Sequence, residues 1–334
     1  MRAAVMGAGS WGTTFAQVLC DAGTSTVLCA RRPELAKAVR ELHENPDYLP
    51  GIELTTALDA VAEPAEALAG ADMVVFAVPA QTLRANLEDW APLIPPGVLL
   101  VSLIKGIELG TSMRMSEVIT SVLCCDPARV AVVSGPNLAC EIARRQIAAT
   151  VVASVSPDAG LTLQEACHTP YFRPYTNTDV TGCELGGAVK NIIAIVVGIA
   201  VAMGLGDNTK ATLITRGLAE ISRLGSALGA QAQTFAGLAG MGDLVATCSS
   251  PLSRNRTFGE NLGRGMSVAD AAAATSQTAE GVASCEPVLK LARDHGVEMP
   301  ITEVAEAVMR DGLPVEQAAA MLASRSAKPE WYGP

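Results

Sequence analysis

Residues 3–19 read AAVMGAGSWGTTFAQVL, which is a short apolar strand, a turn with glycine at positions 7, 9 and 12, and an amphipathic helix. The spacing G-x-G-x-x-G is weak evidence by itself, but here it stands between a strand and a helix. Gly7 allows a tight turn, Gly9 lets backbone amides approach a pyrophosphate, and Gly12 lets the helix pack closely on its strand. The stretch therefore favours a dinucleotide site over an ordinary tight turn.

The end of the second predicted strand, residues 26–30, bears on the choice of coenzyme. A fold that binds NAD usually has an acid there for the ribose hydroxyls, but this chain has Arg31 and Arg32. Because a guanidinium can pair with a 2′-phosphate, NADP(H) is expected in preference to NAD(H). Two alternatives stay open. The arginines could simply cap solvent-facing chain, and Glu34 is near enough for NAD(H) to remain a possible coenzyme.

Further apolar runs at residues 72–78, 98–104, 130–134, 149–153 and 172–175 alternate with helical patterns. This alternation predicts a Rossmann-like α/β domain with a doubly wound, mostly parallel sheet. Lys105 and Gly106 follow one of these strands, and Gly135, Asn137 and Ala139 follow another, at the edge where such sheets bind ligands. A lysine at a strand end can equally be plain surface charge.

Residues 182–205, GCELGGAVKNIIAIVVGIAVAMGL, are the most apolar part of the chain. Their uninterrupted apolar run, residues 192–205, is shorter than the roughly 20 residues that cross a bilayer, so a buried helix is predicted rather than a membrane span. Lys190 is the single charge between Glu184 and Asp207. It should either extend to the surface or face a polar cavity suited to proton transfer, with Gly186 and Gly187 leaving room beside it.

From residue 179 onward the pattern is helical, so two domains are expected: a dinucleotide-binding domain over residues 1–178 and a helical substrate-binding domain over residues 179–334. A glycine-rich loop, residues 237–244, carries one acid, Asp243. After it, residues 247–259 group hydroxyls, an amide and the guanidinium groups of Arg254 and Arg256, with no acid among them. Such a cluster suits a phosphate, although a solvated helix start is the plain alternative.

Composition limits the class of protein. A chain of 334 residues is longer than one core usually supports, and a formal charge of −10 without a basic run argues against nucleic acid or an anionic membrane as the main partner. Nine cysteines and three scattered histidines show no metal-ligand spacing, so no metal site is predicted. The strand-like first residues predict no signal peptide, and free thiols in a reducing cytoplasm are expected.

Seven motifs together strongly resemble the bacterial NAD(P)-dependent glycerol-3-phosphate dehydrogenases, over nearly the whole chain. They are GAGSWGT (7–13), KG (105–106), GPN (135–137), ELGGAVKN (184–191), NTKATLITRG (208–217), GMGDL (240–244) and SRNR (253–256). The resemblance implies hydride transfer between a nicotinamide and C2 of dihydroxyacetone phosphate or glycerol 3-phosphate, for phospholipid synthesis.

The resemblance also implies a role for each matched residue. Lys190 is similar to the family's general acid/base, whose ammonium would stabilise a developing alkoxide and supply its proton, and Lys105 and Asp243 resemble the other catalytic residues. The implied substrate contacts are Lys105, Gly135, Asn137, Lys190, Asp243, Ser253, Arg254 and Asn255. The implied coenzyme contacts, beside Gly7, Gly9 and Gly12, are Ser10, Trp11, Arg31, Arg32, Lys105, Ala139, Arg254 and Glu280. The family varies between serine, threonine and asparagine at the position of Asn137.

Two alternatives in function stay open. A ketopantoate reductase or hydroxyisobutyrate dehydrogenase shares the two-domain plan but needs no phosphate site, and arginine binds a carboxylate as well as a phosphate. A catalytically silent NADP(H)-binding sensor would not require Lys190 and Asp243. The sequence does not decide the oligomeric state, and a homodimer is one possibility.

Overall fold

Eight strands alternate with helices up to residue 177 in the computed structural model of the protein, which describes residues 1–274, 279–326 and 329–330. They are β1 (Arg2–Met6), β2 (Ser25–Cys29), β3 (Asp59–Val61), β4 (Met73–Phe76), β5 (Leu99–Ser102), β6 (Val130–Ser134), β7 (Ala148–Ala153) and β8 (Phe172–Asn177). They form one sheet in the order β3-β2-β1-β4-β5-β6-β7-β8. Adjacent strands are parallel except β6 and β7.

This sheet confirms the predicted doubly wound, mostly parallel α/β fold. The central strand β4 is apolar along its length, and β1 is apolar after Arg2, because neighbouring layers cover both faces of a parallel sheet. The chain leaves β1 toward β2 and β3 and then returns to β4 on the other side of β1. At such a reversal the connections diverge from the carboxyl ends of the strands, which leaves space for a ligand.

The helices along this part of the chain begin with the one that follows the glycine turn. They are α1 (Ser10–Asp21), α2 (Pro33–Lys37), α3 (Pro64–Leu68), α4 (Leu83–Trp90), α5 (Met115–Leu123), α6 (Ala139–Ala143) and α7 (Pro157–Cys167). Shorter helical turns cover Ala38–Leu42 (a π-helix), Ala80–Thr82, Ala91–Leu93 and Pro127–Arg129. Strand β3 was not predicted, because three residues are too few to show a period.

The described residues divide into two compact units. The first contains Met1–Ile104 and Met115–Val180, and the second contains Lys105–Arg114 and the described residues from Thr181 onward. The segment Lys105–Arg114 thus packs with the helical unit, although it lies among residues whose pattern belongs to the α/β part. Ile107 pairs with Arg114 across this segment, and Ile107 is fully buried in the apolar core of the second unit.

Helices form most of the second unit. They are α8 (Val180–Ala202), α9 (Asp207–Ala227), α10 (Ala232–Ala236), α11 (Asp243–Ser249), α12 (Arg254–Gly263), α13 (Val268–Ala274), α14 (Glu280–Asp294), α15 (Pro300–Arg310) and α16 (Val315–Ala323). Helix α8 is apolar enough to be tested as a membrane span, but 89% of its apolar window is buried inside the protein. The prediction of a buried core helix is confirmed, and each fully buried Ile or Val on it contributes about 1.5–3 kcal/mol.

Glycines let the backbone of α8 touch its neighbours. A methyl group on Gly259 of α12 would stand 2.0 Å from the Ile195 carbonyl oxygen, and one on Gly186 would stand 2.4 Å from the Ala239 carbonyl oxygen. The space expected beside Lys190 at Gly186 is therefore filled by backbone. The predicted loop at residues 237–244 is in fact a π-helical turn, Leu238–Gly242, that leads directly into α11.

Candidate active site

Lys190 makes its contacts inside the second unit. Its Nζ lies 2.7 Å from Asp243 Oδ1 and 2.6 Å from Thr247 Oγ1. Lys190, Asp243 and Thr247 are all buried, and the two partners stand one turn apart on α11. Of the two expectations for Lys190, the polar interior contact is the one that the structure shows, because a carboxylate offsets the cost of burying the ammonium.

Asp243 also binds a second lysine. Its Oδ2 atom lies 2.6 Å from Lys105 Nζ, so one buried carboxylate bridges two ammonium groups. Burial lowers the pKa of Lys105 to about 8; the Asp243 carboxylate opposes this effect and the positive charge of Lys190 adds to it. A lysine that titrates this close to neutrality can exchange protons during a reaction.

An ion pair anchors the segment that carries Lys105. Arg114 Nη1 lies 2.6 Å from Glu184 Oε2, and the Glu184 side chain is only 4% exposed. Glu184 precedes Lys190 by six residues on α8, so one helix holds both Lys190 and the anchor of the Lys105 segment. Sequence reasoning missed this pair because its members are 70 residues apart.

The start of α12 carries the predicted phosphate cluster. Ser253 is the N-cap, and its Oγ accepts a hydrogen bond from the Arg256 amide at 3.3 Å. Arg254 is exposed. Arg256 pairs through Nε with Glu260 at 3.0 Å. The first turn holds no acid, so the positive end of the helix and the charge of Arg254 both favour an anion there.

Asn255 connects three helices. Its Nδ2 donates to Asn191 Oδ1 at 3.0 Å, and its Oδ1 accepts from the Gly281 amide at 3.0 Å, next to Glu280 at the start of α14. Asn191 and Thr247 were not singled out by sequence reasoning. The available signals were the place of Asn191 directly after Lys190 and the i, i+4 spacing of Thr247 from Asp243.

The glycine turn of the first unit fits a dinucleotide. Gly7 has φ +122°, which favours glycine, and a methyl group on Gly12 would stand 2.0 Å from the Gly7 carbonyl oxygen. In the described chain, no atom lies within 4 Å of where a methyl on Gly9 would stand. Gly9 precedes α1, whose first turn carries no acid, so the backbone amides there meet the needs of a pyrophosphate.

The other predicted coenzyme residues of the first unit differ in their surroundings. Ser10 Oγ donates to the Tyr48 carbonyl oxygen at 3.0 Å, and the Trp11 ring packs against Phe15 with ring centres 5.6 Å apart. Arg31 is exposed. Arg32 Nη2 lies 2.5 Å from Asp47 Oδ2, so its charge is already matched by a carboxylate.

Gly135, Asn137 and Ala139 follow β6 in the first unit. Asn137 Nδ2 donates to Thr150 Oγ1 at 3.0 Å, while its buried Oδ1 has no hydrogen-bond partner among the described residues. The Ala139 carbonyl oxygen accepts from Thr14 Oγ1 at 3.2 Å. The structure therefore groups these three with the glycine turn, in the first unit. The second unit contains Lys105, Lys190, Asp243, Ser253, Arg254, Asn255 and Glu280.

Comparison with known proteins decides the family. Residues 2–159 match the model for the N-terminus of NAD-dependent glycerol-3-phosphate dehydrogenase, and residues 179–320 match the model for its C-terminus. The chain belongs to the NAD-dependent glycerol-3-phosphate dehydrogenase family. The predicted resemblance to these dehydrogenases is confirmed, and with it the class of NAD(P)-dependent oxidoreductases.

Individual glycerol-3-phosphate dehydrogenases agree with this assignment. The chain is 62% identical over 330 residues to glycerol-3-phosphate dehydrogenase (NAD(P)+) of Streptomyces avermitilis, covering 99% of this chain and 98% of the relative. The enzyme of the same name from Thermobifida fusca is 62% identical over 333 residues, with 99% of each chain covered. A crystal structure of glycerol-3-phosphate dehydrogenase from Coxiella burnetii is similar with a TM-score of 0.92 at 37% identity, covering 97% of this chain and 99% of that one.

Proposed function

We propose that this member of the glycerol-3-phosphate dehydrogenase family reduces dihydroxyacetone phosphate reversibly to sn-glycerol 3-phosphate, a precursor of phospholipids. The observation that carries the proposal is the Asp243 bridge, in which one buried carboxylate holds the ammonium groups of Lys105 and Lys190 at 2.6 and 2.7 Å. A carbonyl that is reduced needs a proton and a positive charge beside its oxygen, and two lysines supply both.

The chemistry divides between coenzyme and protein. When bound, a reduced nicotinamide would supply the hydride for C2 of the substrate. Lys190 stabilises the negative charge that develops on the C2 oxygen and transfers a proton from Nζ to it. Asp243 keeps both amines oriented, and Lys105, with a pKa of about 8, lends a second positive charge below that pH.

We assign dinucleotide binding to residues 1–178 and substrate binding to residues 179–334. The open backbone at Gly9 and the uncapped start of α1 support the first assignment. The exposed Arg254 at the start of α12 supports the second. In this proposal Gly135, Asn137 and Lys105 also contact the substrate, although all three lie within residues 1–178.

The direct test is NADPH oxidation, followed at 340 nm with and without dihydroxyacetone phosphate, with ketopantoate and unphosphorylated dihydroxyacetone as comparison substrates. Oxidation that depends on dihydroxyacetone phosphate supports the proposal. Preference for ketopantoate would favour the related reductase, and tight NADPH binding without turnover of any substrate would favour a sensor.

Arg254→Ala should raise KM for dihydroxyacetone phosphate and lower kcat/KM by about 30- to 150-fold, equivalent to roughly 2–3 kcal/mol for a charged hydrogen bond. The reason is that Arg254 is exposed at a helix start without acids, where it can bind the phosphate. The control is Arg264→Ala at the other end of the same helix, where the guanidinium bonds Glu260. Equal losses on phosphorylated and unphosphorylated dihydroxyacetone would mean that Arg254 does not bind the phosphate.

We also propose that NADPH is preferred over NADH and that Arg31 carries more of this preference than Arg32. Arg31 is exposed, whereas Arg32 is engaged by Asp47. Arg31→Asp should lower kcat/KM for NADPH at least about tenfold, roughly 1.4 kcal/mol, and leave NADH unchanged or improved. Arg32→Asp should have a smaller effect. Steady-state rates with both coenzymes decide this, and an unaltered NADPH to NADH ratio in Arg31→Asp would contradict it.

A cytoplasmic location is proposed from the sequence. For the oligomeric state, both a homodimer and a monomer are candidates. Light scattering on the purified protein distinguishes a mass of 34.4 kDa from twice that value.

A further inference from the structure

A loop of the first unit is fixed onto the glycine turn by one buried side chain. Asn45 is fully buried, and its Nδ2 donates to the Ala8 carbonyl oxygen at 3.0 Å and to Thr13 Oγ1 at 2.8 Å. Its Oδ1 accepts from the Tyr48 amide at 3.2 Å. All the strong hydrogen-bonding groups of this amide are therefore used to join the loop to the turn.

A second contact fixes the far side of the loop. Ser10 Oγ donates to the Tyr48 carbonyl oxygen at 3.0 Å, and the Leu49 amide donates to the Asn45 carbonyl oxygen at 2.8 Å. Pro46 and Asp47 lie between these anchors, so the backbone that carries Asp47 has little freedom. Asp47 is thus held at a set place relative to the glycine turn.

At that place Asp47 pairs with Arg32, which lies three residues after the end of β2 and caps the start of α2. Asp47 Oδ2 lies 2.5 Å from Arg32 Nη2, and the side chains of Asp47 and Arg32 are about half exposed, at 49% and 43%. Counted together, Arg31, Arg32 and Asp47 carry one net positive charge rather than two. A 2′-phosphate brings nearly two negative charges, so a carboxylate there competes for Arg32 and repels the phosphate. A free ribose hydroxyl has no such conflict and can donate to a carboxylate.

We propose that Asp47 is a specificity-determining residue that lowers the preference for NADPH and keeps NADH usable. The proposal rests on the proposed dinucleotide function of the first unit and names what sets its coenzyme balance. Arg31 favours the 2′-phosphate, Asp47 opposes it through Arg32, and the anchored loop keeps that opposition in place.

The test is Asp47→Asn, which keeps the shape of the side chain and removes its charge. The ratio of kcat/KM for NADPH to that for NADH should rise by about three- to tenfold at low salt, mainly through a lower KM for NADPH, and the rise should shrink as salt screens these exposed charges. The matched control is Asp59→Asn, because Asp59 pairs with Arg40 at 2.7 Å with both side chains half exposed. That variant should leave the ratio unchanged.

Asp47→Ser serves as a second variant that removes the charge, and it should raise the ratio in the same direction. An unchanged or lower ratio in folded Asp47→Asn, or an equal rise in Asp59→Asn, would overturn the proposal. A wild type that turns over neither coenzyme would defeat the proposed function instead. Fluorescence titration of NADPH and NADH binding to the same variants then decides the role of Asp47: a shifted ratio of dissociation constants supports it and an unshifted one overturns it.

Discussion

Lys190→Ala is expected to lower kcat by about 10²-fold or more while the protein stays folded and its affinity for NADPH stays near the wild-type value. The factor is typical of removing a general acid from a reaction that needs one. Asp243 keeps its bond to Lys105 in this variant, so the carboxylate is not left without a cation. The measurement is kcat for dihydroxyacetone phosphate reduction, together with NADPH binding followed by fluorescence.

Two further variants make this result interpretable. Lys190→Met keeps most of the side-chain volume inside the core and should lose activity as severely as Lys190→Ala. Lys290→Ala removes an exposed lysine that pairs with Asp294 on the surface, and it should keep normal turnover. Near-normal kcat in a folded Lys190→Met protein would refute the assignment of Lys190 as the general acid.

Asp243→Asn is expected to lower kcat/KM by about 10²- to 10³-fold at neutral pH. Removal of one partner from a buried ion pair typically lowers the stability of the folded protein by about 3–5 kcal/mol, and here two ammonium groups lose their partner at once. Asparagine keeps the size of the side chain but can no longer offset the charges of Lys105 and Lys190. Thermal unfolding measured alongside the kinetics separates loss of stability from loss of catalysis.

The same variant should change the pH dependence in a defined direction. Asp243 raises the pKa of Lys105, so without this carboxylate that pKa falls below about 8. Lys105 then loses its positive charge at a lower pH, and the alkaline limb of the profile of kcat/KM for dihydroxyacetone phosphate should move toward lower pH. Asp270→Asn, at an exposed acid whose carboxylate accepts from Ser267, should leave the profile in place. An unmoved limb in Asp243→Asn would show that the bridge does not control the charge on Lys105.

Much of the fold was predictable because it depends on local patterns. The glycine spacing at residues 7–12 and the apolar runs of the strands act over a few residues, and they predicted the turn and most of the sheet. The 14-residue apolar run predicted that α8 is buried, and the lone Lys190 on it indicated that this helix carries chemistry. The family resemblance rested on residue identities in short motifs, which need no knowledge of the packing.

The contacts between the site residues could not be predicted from the sequence. Lys105 and Asp243 are 138 residues apart, and Lys190 and Asp243 are 53 residues apart, so no spacing rule connects them. The sequence predicted free space beside Lys190 at Gly186, but in the structure the backbone of Ala239 fills it. The chain continues from Ala239 into α11 and so brings Asp243 to the lysine.

The sequence by itself determined most of the strands and helices, which helix is buried and which residue types carry the chemistry, because strand and helix periods and burial follow from neighbours along the chain. Only the tertiary structure decided that the Asp243 carboxylate pairs with two lysines, that Arg114 and Glu184 anchor the Lys105 segment, and that Asp47 pairs with Arg32. The physical reason is that a buried or shared charge is stable only where its partner packs against it, and that partner is chosen by the close approach of helices and loops that are distant in sequence.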